Sequence, residues 1–401
     1  MKHFVAVILL SLTLTACGQN SPPSPARLLD DYSVRELDSI FNQANETYRT
    51  QELDSLIRHI FTELNGTALV MRGKEVLVRE TSGYIRFYEN KKGYETWSSS
   101  DLRNARNRKE NRLQPGTFYE LASVSKQFTA VAVLKLVEEG YVKLTDSLYR
   151  FYPELPYKNV TVHQLLSHTS GLPEYFDFPV SYFDTSHLLS NQELIAIMAE
   201  RKPPVLFQPG YNYKYTNTNY ALLAAIVEKV ADINFEEYVR QNIFLPAGMT
   251  RTFYRTQLDD QENCSVARGH LKNKQEVKPH YLDGTIGDKG VYSTPEELYK
   301  WKVALFDRKK IISESSLRKA TSKQNYIRGK GKAKEIYGYG FRIEENPALG
   351  KLIYHGGLWK GYQNIMVYRE SDDTLIIFLS NCRNGAHQGR CDEILQTLEG
   401  A

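Results

Sequence analysis

The chain has 401 residues, of which 41% are hydrophobic, and 51 Lys and Arg against 47 Asp and Glu give a formal net charge of +4. This length suggests two or three structural units, and the apolar content is sufficient for a sizeable packed core. The charge is too nearly balanced to argue for nucleic acid as a partner.

The N-terminal segment has the pattern of an export signal. Lys2 precedes an apolar run over residues 5–14, which is too short to span a bilayer comfortably and fits a signal-peptide core. The run ends in LTAC, and small residues before Cys17 resemble the bacterial lipoprotein cleavage signal. We therefore expect residues 1–16 to be removed, Cys17 to be lipidated, and residues 17–27 to tether an extracytoplasmic domain to a membrane of the bacterial cell envelope. A plain secretory signal is the alternative.

The remaining cysteines do not form a disulfide framework, because there are three of them. Cys382 and Cys391 could pair in an oxidising compartment, which leaves Cys264 single, and the sequence alone cannot establish the geometry. The nine His are scattered, and no CxxC or HExxH pattern occurs. The sequence therefore predicts no metal site and no cofactor.

Strand patterns lie at both ends of the region that follows the tether. Residues 28–61 have apolar positions at helical spacing, and two β-rich runs, 67–71 and 75–79, enclose an Arg-Gly-Lys turn that predicts a hairpin. The C-terminal region predicts strands at 337–343, 351–355, 363–368 and 374–379, and a closing helix at 391–398.

Helical patterns dominate the middle of the chain. An amphipathic helix is predicted over residues 123–139, and further helices are predicted at 162–167, 191–201 and 219–230. The expected fold is therefore α/β (α+β): one catalytic domain over 28–401, with an antiparallel sheet from about 28–122 and 290–401 and a mainly helical part over about 123–289. A cleft between the two parts is the natural place for a site.

The first chemical motif is Ser123-Val124-Ser125-Lys126. A Ser at the start of a helix lies near free backbone N–H groups and the positive end of the helix dipole, which favour the negative charge of acyl transfer. Lys126, three positions on, lies on the same helix face, and a desolvated Lys can accept a proton. The same spacing recurs at Ser316 and Lys319, in a polar segment that we expect to be exposed.

Two further motifs follow along the chain. In Tyr215-Thr216-Asn217, the Tyr can act as a general base if a nearby cation lowers its pKa, and Asn217 can point an amide at the substrate. In His355-Gly356-Gly357, at the end of a predicted strand, the glycines let a substrate lie against the strand edge, and the His can contact a substrate oxygen. Each motif alone has a structural alternative: a buried Tyr with a satisfied hydroxyl, or an ordinary turn.

The order Ser-x-x-Lys, Tyr-x-Asn, His-x-Gly resembles the superfamily of class C β-lactamases, penicillin-binding proteins and serine D-peptidases. Three segments strengthen the resemblance. Residues 125–130 (SKQFTA) are similar to the family's nucleophile helix, 165–173 (LLSHTSGLP) to a signature of its helical part, and 287–295 (GDKGVYSTP) to its Gly-Gly-x-x-Ser-Thr segment. The similarity extends from about residue 67 to 381 and implies a β-lactamase/transpeptidase-like fold.

The resemblance implies a role for each matching residue. Ser123 would be the acylated nucleophile, Lys126 and Tyr215 would share base and acid duties as a coupled pair, and Asn217 would orient the substrate amide. The backbone N–H groups of Ser123 and Leu358 would form the oxyanion hole.

His355 stands where β-lactamases usually carry Lys, which argues against a true β-lactamase, because a fixed cation is replaced by a group that titrates near neutrality. If its imidazolium holds a substrate oxygen, we expect activity on anionic substrates to weaken as the pH rises through its ordinary pKa.

The predicted function is that of a serine hydrolase that forms an acyl-enzyme on D-amino-acid peptides or small esters. The first alternative is a β-lactamase. The second, from a different class, is a non-catalytic penicillin-binding or sensor protein. Expected partners are a small-molecule or peptide substrate and, through the lipid anchor, a membrane.

Overall fold

The computed structural model describes residues 31–42, most of 53–60, and residues 65–87, 111–257, 265–326, 335–383 and 387–399. The predicted signal and tether, with Cys17, and also Cys264, lie outside these residues. Within them, no helix is both long and apolar enough to cross a bilayer.

One antiparallel sheet is built from both ends of the chain. Its strands are β1 (Gly66–Arg72), β2 (Glu75–Ser82), β6 (Ile336–Tyr337), β7 (Arg342–Asn346), β8 (Gly350–Trp359), β9 (Tyr362–Arg369) and β10 (Thr374–Ser380). They are arranged in the order β2-β1-β10-β9-β8-β7-β6. A second, small sheet has the order β3-β5-β4 and consists of β3 (Tyr119–Glu120), β4 (Phe253–Tyr254) and β5 (Val291–Ser293). The predicted fold class is confirmed.

The helices lie mainly between the two groups of strands. They are α1 (Asp31–Asn42), α2 (Lys126–Glu138), α3 (Leu148–Phe151), α4 (Val162–Leu166), α5 (Asn191–Arg201), α6 (Asn217–Ala231), α7 (Phe235–Val239), α8 (Pro295–Lys302), α9 (Glu314–Ala320) and α10 (His387–Glu399). The described residues within 53–60 are also helical. Single turns are formed by Ala122–Ser125, Tyr175–Asp177, Val180–Tyr182, Arg255–Gln257 and Tyr281–Gly284, and wider turns by Arg240–Phe244 and Val303–Asp307.

The main sheet is covered on both faces, which explains the continuous apolar runs in its central strands. Successive residues of a strand point to opposite faces. In β1, Leu69 and Met71 join the large core around α2, while Ala68 and Val70 join a smaller core with Ile394 of α10. Cys391 of α10 is buried in this smaller core, and both Cys382 and Cys391 are free thiols.

Two predicted strand boundaries need correction. The strand expected over 337–343 is two strands, β6 and β7, separated by a turn in which Gly340 has a φ of +80°. A Cβ at Gly340 would lie 2.8 Å from the Lys126 carbonyl oxygen, so the chain turns because it passes directly against α2. The strand expected over 351–355 continues to Trp359, which places His355 in its interior.

The helix that follows Ser123 is central to the core, whereas the sequence predicted an amphipathic helix. Its residues 126–134 are all buried. A helix that is buried all round belongs to the core. Its polar side chains are satisfied internally: Gln127 accepts a hydrogen bond from Trp301 Nε1 at 2.9 Å, and Thr129 donates to the Gly287 carbonyl at 2.7 Å. Gln127 and Thr129 thus connect the helix to neighbouring segments.

Candidate active site

Ser123 lies in the turn that links β3 to α2. Ala122, immediately before it, has a φ of +50°, a left-handed conformation that costs a non-glycine residue about 1–2 kcal/mol. Ala122 and Val124 are buried, whereas Ser123 is only half-buried. The strained turn therefore presents the Ser123 side chain to the cleft and buries the side chains on either side of it.

Lys126 is fully buried beneath Ser123. Its Nζ lies 3.1 Å from Ser123 Oγ, and it donates hydrogen bonds to Asn217 Oδ1 at 2.7 Å and to the Asp288 carbonyl oxygen at 2.8 Å. Burial lowers the pKa of Lys126 to about 8, against the opposing effect of the Asp288 and Glu174 carboxylates. A neutral fraction is therefore present at neutral pH, and it can accept the Ser123 proton.

Asn217 is the first residue of α6 and links this helix to Glu174. Glu174 Oε2 accepts hydrogen bonds from the Asn217 backbone N at 2.8 Å and from Asn217 Nδ2 at 3.0 Å. Asn217 is therefore held by Glu174 on one side and by Lys126 on the other. Glu174, which directly follows the LLSHTSGLP segment, was not singled out from the sequence.

Tyr215 precedes α6 and faces Ser123. Its hydroxyl is buried without a well-aligned hydrogen-bond partner among the described residues. Lys126 Nζ lies 4.9 Å from the centre of its ring and the Arg342 guanidinium 5.0 Å. Burial nevertheless raises the pKa of Tyr215, and the Ser123 hydroxyl and Arg342 offset this only in part. The condition for Tyr215 as a base, a lowered pKa, is not met, so the hydroxyl retains its proton at neutral pH.

The edge of β8 lies against the Ser123 turn. A Cβ at Gly357 would lie 2.2 Å from the Leu121 carbonyl oxygen, so only glycine fits there. Leu358, the next residue, is half exposed. The cleft between this edge and Ser123 has a volume of about 530 Å³, and its lining residues are Ser123, Tyr215, Asn217, Arg342, Tyr354, Gly356, Gly357, Leu358, Gln363, Asn364 and Ile365.

The hypothesis that a protonated His355 holds a substrate oxygen does not fit the structure. The residue has no exposed surface; its Nε2 lies 3.0 Å from the Tyr337 hydroxyl and its Nδ1 2.7 Å from the Gly356 carbonyl oxygen. The carbonyl can only accept, so Nδ1 carries the hydrogen and Nε2 accepts from the tyrosine. Burial, with Arg342 and Lys126 nearby, holds the pKa of His355 well below its usual value. His355 is a neutral structural residue behind the strand edge.

Arg342 is a cation in the lining of the cleft, and it was not singled out from the sequence. It belongs to β7, next to β8, and pairs with Glu335 while its guanidinium lies over the Tyr215 ring. Its side chain is 21% exposed, so it remains accessible from the cleft. An Arg within a predicted strand rich in tyrosine and glycine was the available signal, but its position beside Tyr215 depends on strand pairing.

The second Ser-x-x-Lys copy has no comparable geometry. Ser316 is buried, contrary to the expected exposure, and Lys319 is exposed. The N-cap residue Ser313 accepts a hydrogen bond from the Ser316 backbone N at 3.2 Å. This copy is thus an ordinary capped helix. No group of His, Cys, Asp or Glu in the described part of the chain could hold a metal ion.

Comparison with known proteins identifies the family. The family profile named Beta-lactamase matches residues 53–399. Penicillin-binding protein 4* of Bacillus subtilis (strain 168) is 30% identical over 332 residues, which cover 80% of this chain and 68% of that protein.

Solved structures show the same fold. The octameric penicillin-binding protein homologue from Pyrococcus abyssi has a TM-score of 0.70 and 26% identity, over 87% of this chain and 77% of that one. D-amino acid amidase from Ochrobactrum anthropi SV3 has a TM-score of 0.67 and 23% identity, over 87% and 100%. With the sequence matches, these similarities confirm the predicted relationship: the chain belongs to the Beta-lactamase family, whose relatives include penicillin-binding proteins.

Proposed function

We propose that this protein is a serine hydrolase that forms an acyl-enzyme on Ser123. The observation that carries the proposal is the 3.1 Å contact between Ser123 Oγ and the buried Lys126 Nζ at the base of an open cleft. A buried lysine with a lowered pKa beside a serine hydroxyl is the arrangement that an activated nucleophile requires. Labelling with a fluorophosphonate, followed by mass spectrometry of the labelled peptide, tests the proposal: the adduct is expected on Ser123.

Acylation follows from the positions of these groups. Neutral Lys126 takes the proton of Ser123 while Oγ bonds to the substrate carbonyl carbon, and the N–H groups of Ser123 and Leu358 receive the developing oxyanion. The bond to the leaving group then breaks. Tyr215 gives its proton to that group and regains one from protonated Lys126. A water molecule then hydrolyses the acyl-enzyme, and the same residues transfer protons in the reverse direction.

The preferred substrate class is a D-amino-acid peptide with a free carboxylate. Arg342 is the accessible cation in the lining of the cleft, and a guanidinium binds a carboxylate through two parallel hydrogen bonds. The similarity to penicillin-binding proteins supports this choice over a small neutral ester.

Arg342→Gln is expected to lower kcat/KM for carboxylate-bearing substrates about 10- to 100-fold, because a charge-assisted hydrogen bond contributes about 1.5–3 kcal/mol. Neutral esters of similar shape are expected to change much less. The control is Arg318→Gln, which removes an exposed arginine paired with Glu314. Equal losses on anionic and neutral substrates would show that Arg342 acts on the fold and not on the substrate charge.

A β-lactamase and a non-catalytic sensor remain the alternatives. Both would be labelled at Ser123 by a fluorescent penicillin, so turnover separates them. Rapid release of hydrolysed penicillin identifies a β-lactamase, and a stable adduct with no turnover of D-peptides, esters or a cephalosporin identifies a sensor. Release of product from D-peptides with little action on the other substrates supports the proposed function.

We further propose that the protein is anchored in the bacterial envelope through Cys17. The support is the apolar run that ends in LTAC and the Pro-rich segment after it. Cys17→Ser is expected to prevent lipidation, so that the protein is released from membranes or retains its signal. Fractionation and the mass of the mature chain provide the measurement, and unchanged membrane partition and processing would contradict the anchor.

A further inference from the structure

Lys126 is held by two oxygen atoms that can only accept hydrogen bonds. These are Asn217 Oδ1 and the carbonyl oxygen of Asp288, at 2.7 and 2.8 Å from Nζ. Because neither oxygen carries a hydrogen, both bonds use N–H groups of Lys126 whether the amine is charged or neutral. The remaining direction faces Ser123 Oγ. A neutral Lys126 therefore presents its lone pair to the serine hydroxyl.

Glu174 fixes which end of the Asn217 amide faces Lys126. An ionised carboxylate has no hydrogen to donate, and Glu174 Oε2 accepts both from Asn217 Nδ2 and from its backbone N. The NH2 group of the amide must therefore face Glu174, and the oxygen must face Lys126. The reverse orientation would bring an NH2 group against the lysine and remove one of its two acceptors.

Lys289 holds Asp288 in position, as Glu174 holds Asn217. Its side chain is 3% exposed, and its Nζ lies 3.4 Å from Asp288 Oδ2. It also donates to the Tyr175 hydroxyl at 2.8 Å and to the Thr285 carbonyl at 3.0 Å, and the Tyr175 hydroxyl donates to Asp288 Oδ2 at 3.0 Å. The ammonium group of Lys289 thus fixes the Asp288 side chain. The backbone carbonyl oxygen of Asp288, in turn, accepts a hydrogen bond from Lys126.

Aromatic rings enclose this second lysine. Phe176 and Trp359 are stacked with ring centres 4.8 Å apart, and Lys289 Nζ lies 5.5 and 5.2 Å from these two rings. Trp359 directly follows Leu358 in β8, and its Nε1 donates to Asp283 Oδ1 at 3.0 Å. Lys289 therefore connects two parts of the site: the segment around Asp288, which holds Lys126, and the end of β8, which borders the cleft.

Charged groups of both signs surround Lys126. The titratable and charged groups that face it are Glu174, Asp288, Arg342, His168, His355, Tyr215 and Tyr220. Both histidines are neutral, because burial holds the pKa of each well below its usual value. The two carboxylates favour a charged Lys126, and Arg342 opposes them. Lys289, which pairs with Asp288, offsets part of the charge of that carboxylate.

We propose that Glu174 and Lys289 are positioning residues of the Ser123 reaction, which aim Lys126 at the serine through Asn217 and Asp288. The inference rests on the proposed hydrolase function. Neither side chain touches the cleft; both act through the groups that hold Lys126.

Substitution of either residue is expected to shift the pH dependence of Ser123 labelling in a defined direction. Labelling requires neutral Lys126, so its rate is expected to rise with pH through the pKa of that lysine. Lys289→Met leaves Asp288 unpaired, which favours charged Lys126 and moves the midpoint to higher pH by about one unit, or about tenfold in rate at a fixed lower pH. Glu174→Gln removes a negative charge, keeps an accepting oxygen, and moves the midpoint to lower pH.

The experiment measures the rate at which a fluorophosphonate labels Ser123 of the full chain across neutral and alkaline pH. This probe is uncharged, so its binding does not depend on a charge contact with Arg342. The matched control is Lys302→Met, which removes another buried lysine, 1% exposed and ion-paired with Asp307 at 2.9 Å, in α8. The control is expected to lower the melting temperature without moving the midpoint. Lys289→Arg, which retains the charge, is expected to return the midpoint toward that of the wild type.

The outcomes distinguish failure of the positioning role from failure of the proposed hydrolase function. A wild-type protein that is not labelled at any pH contradicts the proposed function itself. A labelled wild type whose midpoint is unchanged by Lys289→Met and Glu174→Gln overturns only the positioning role. If Lys289→Met does not fold, Asp288→Asn tests the same charge pair from the other side: it is expected to lower the midpoint, and an unchanged midpoint would overturn the inference.

Discussion

Ser123→Ala is expected to abolish covalent labelling by fluorophosphonate and fluorescent penicillin, and to reduce hydrolysis to background. The hydroxyl is the atom that bonds to the substrate, and no other serine in the described part of the chain has its Oγ hydrogen-bonded to a lysine Nζ. Removing a half-buried hydroxyl from a surface-facing turn costs little stability, so the melting temperature is expected to change by only a few degrees. Loss of activity with an intact fold is the combined result to be measured.

Ser316→Ala is the matched control, because it removes the other serine that has a lysine three positions later. Its side chain is buried in α9, and the cap on this helix uses the hydroxyl of Ser313 and only the backbone N of Ser316. We expect unchanged labelling and a small change in stability. If labelling persists in Ser123→Ala, the nucleophile lies elsewhere.

Gly357→Ala is expected to have the second-largest effect. The added Cβ would lie 2.2 Å from the Leu121 carbonyl and 3.2 Å from Ala122 Cβ, so β8 must move away from the Ser123 turn. The two N–H groups proposed to receive the oxyanion, those of Ser123 and Leu358, lie on opposite sides of this contact. Loss of one such donor lowers kcat about 10²- to 10³-fold, and the forced shift is expected to destabilise the fold by about 1–3 kcal/mol.

Gly356→Ala provides the comparison for stability. Its Cβ would meet only the Asn364 carbonyl oxygen, at 3.7 Å, which is an ordinary van der Waals distance. We expect its free energy of unfolding, measured in denaturant, to stay close to that of the wild type, while that of Gly357→Ala falls. Similar stability for the two variants would mean that β8 and the Ser123 turn are not in firm contact.

Local pattern was sufficient to predict much of the fold. The hairpin of β1 and β2 and the strands β9 and β10 follow from apolar runs interrupted by turn residues, and both ends of α5 were placed correctly. The Ser123–Lys126 pair could be predicted because three positions along a helix are spatial neighbours. These features depend on residues close in sequence.

The errors arose where distant segments meet. His355 was misjudged because the length of β8, and the burial of that position by Tyr337, depend on strand pairing. Arg342 reaches Tyr215 from a neighbouring strand, and Glu174 reaches Asn217 across 43 positions of sequence. Local periodicity cannot predict such contacts. The groups that surround Ser123 and Lys126 could therefore be identified only from the three-dimensional structure.

The pairing of the first strand with the last has a consequence for the order of folding. β1 is hydrogen-bonded along its whole length to β10, and Asn65 and Asn381, 316 positions apart, are joined side chain to side chain. Contacts so distant in sequence form slowly, because much of the chain must be ordered before they close. During synthesis, this edge of β1 has no hydrogen-bonding partner until nearly the whole chain has been made. If the protein is exported as we propose, the late pairing of β1 with β10 would keep the chain unfolded while it crosses a membrane. The active site would then be completed only after translocation.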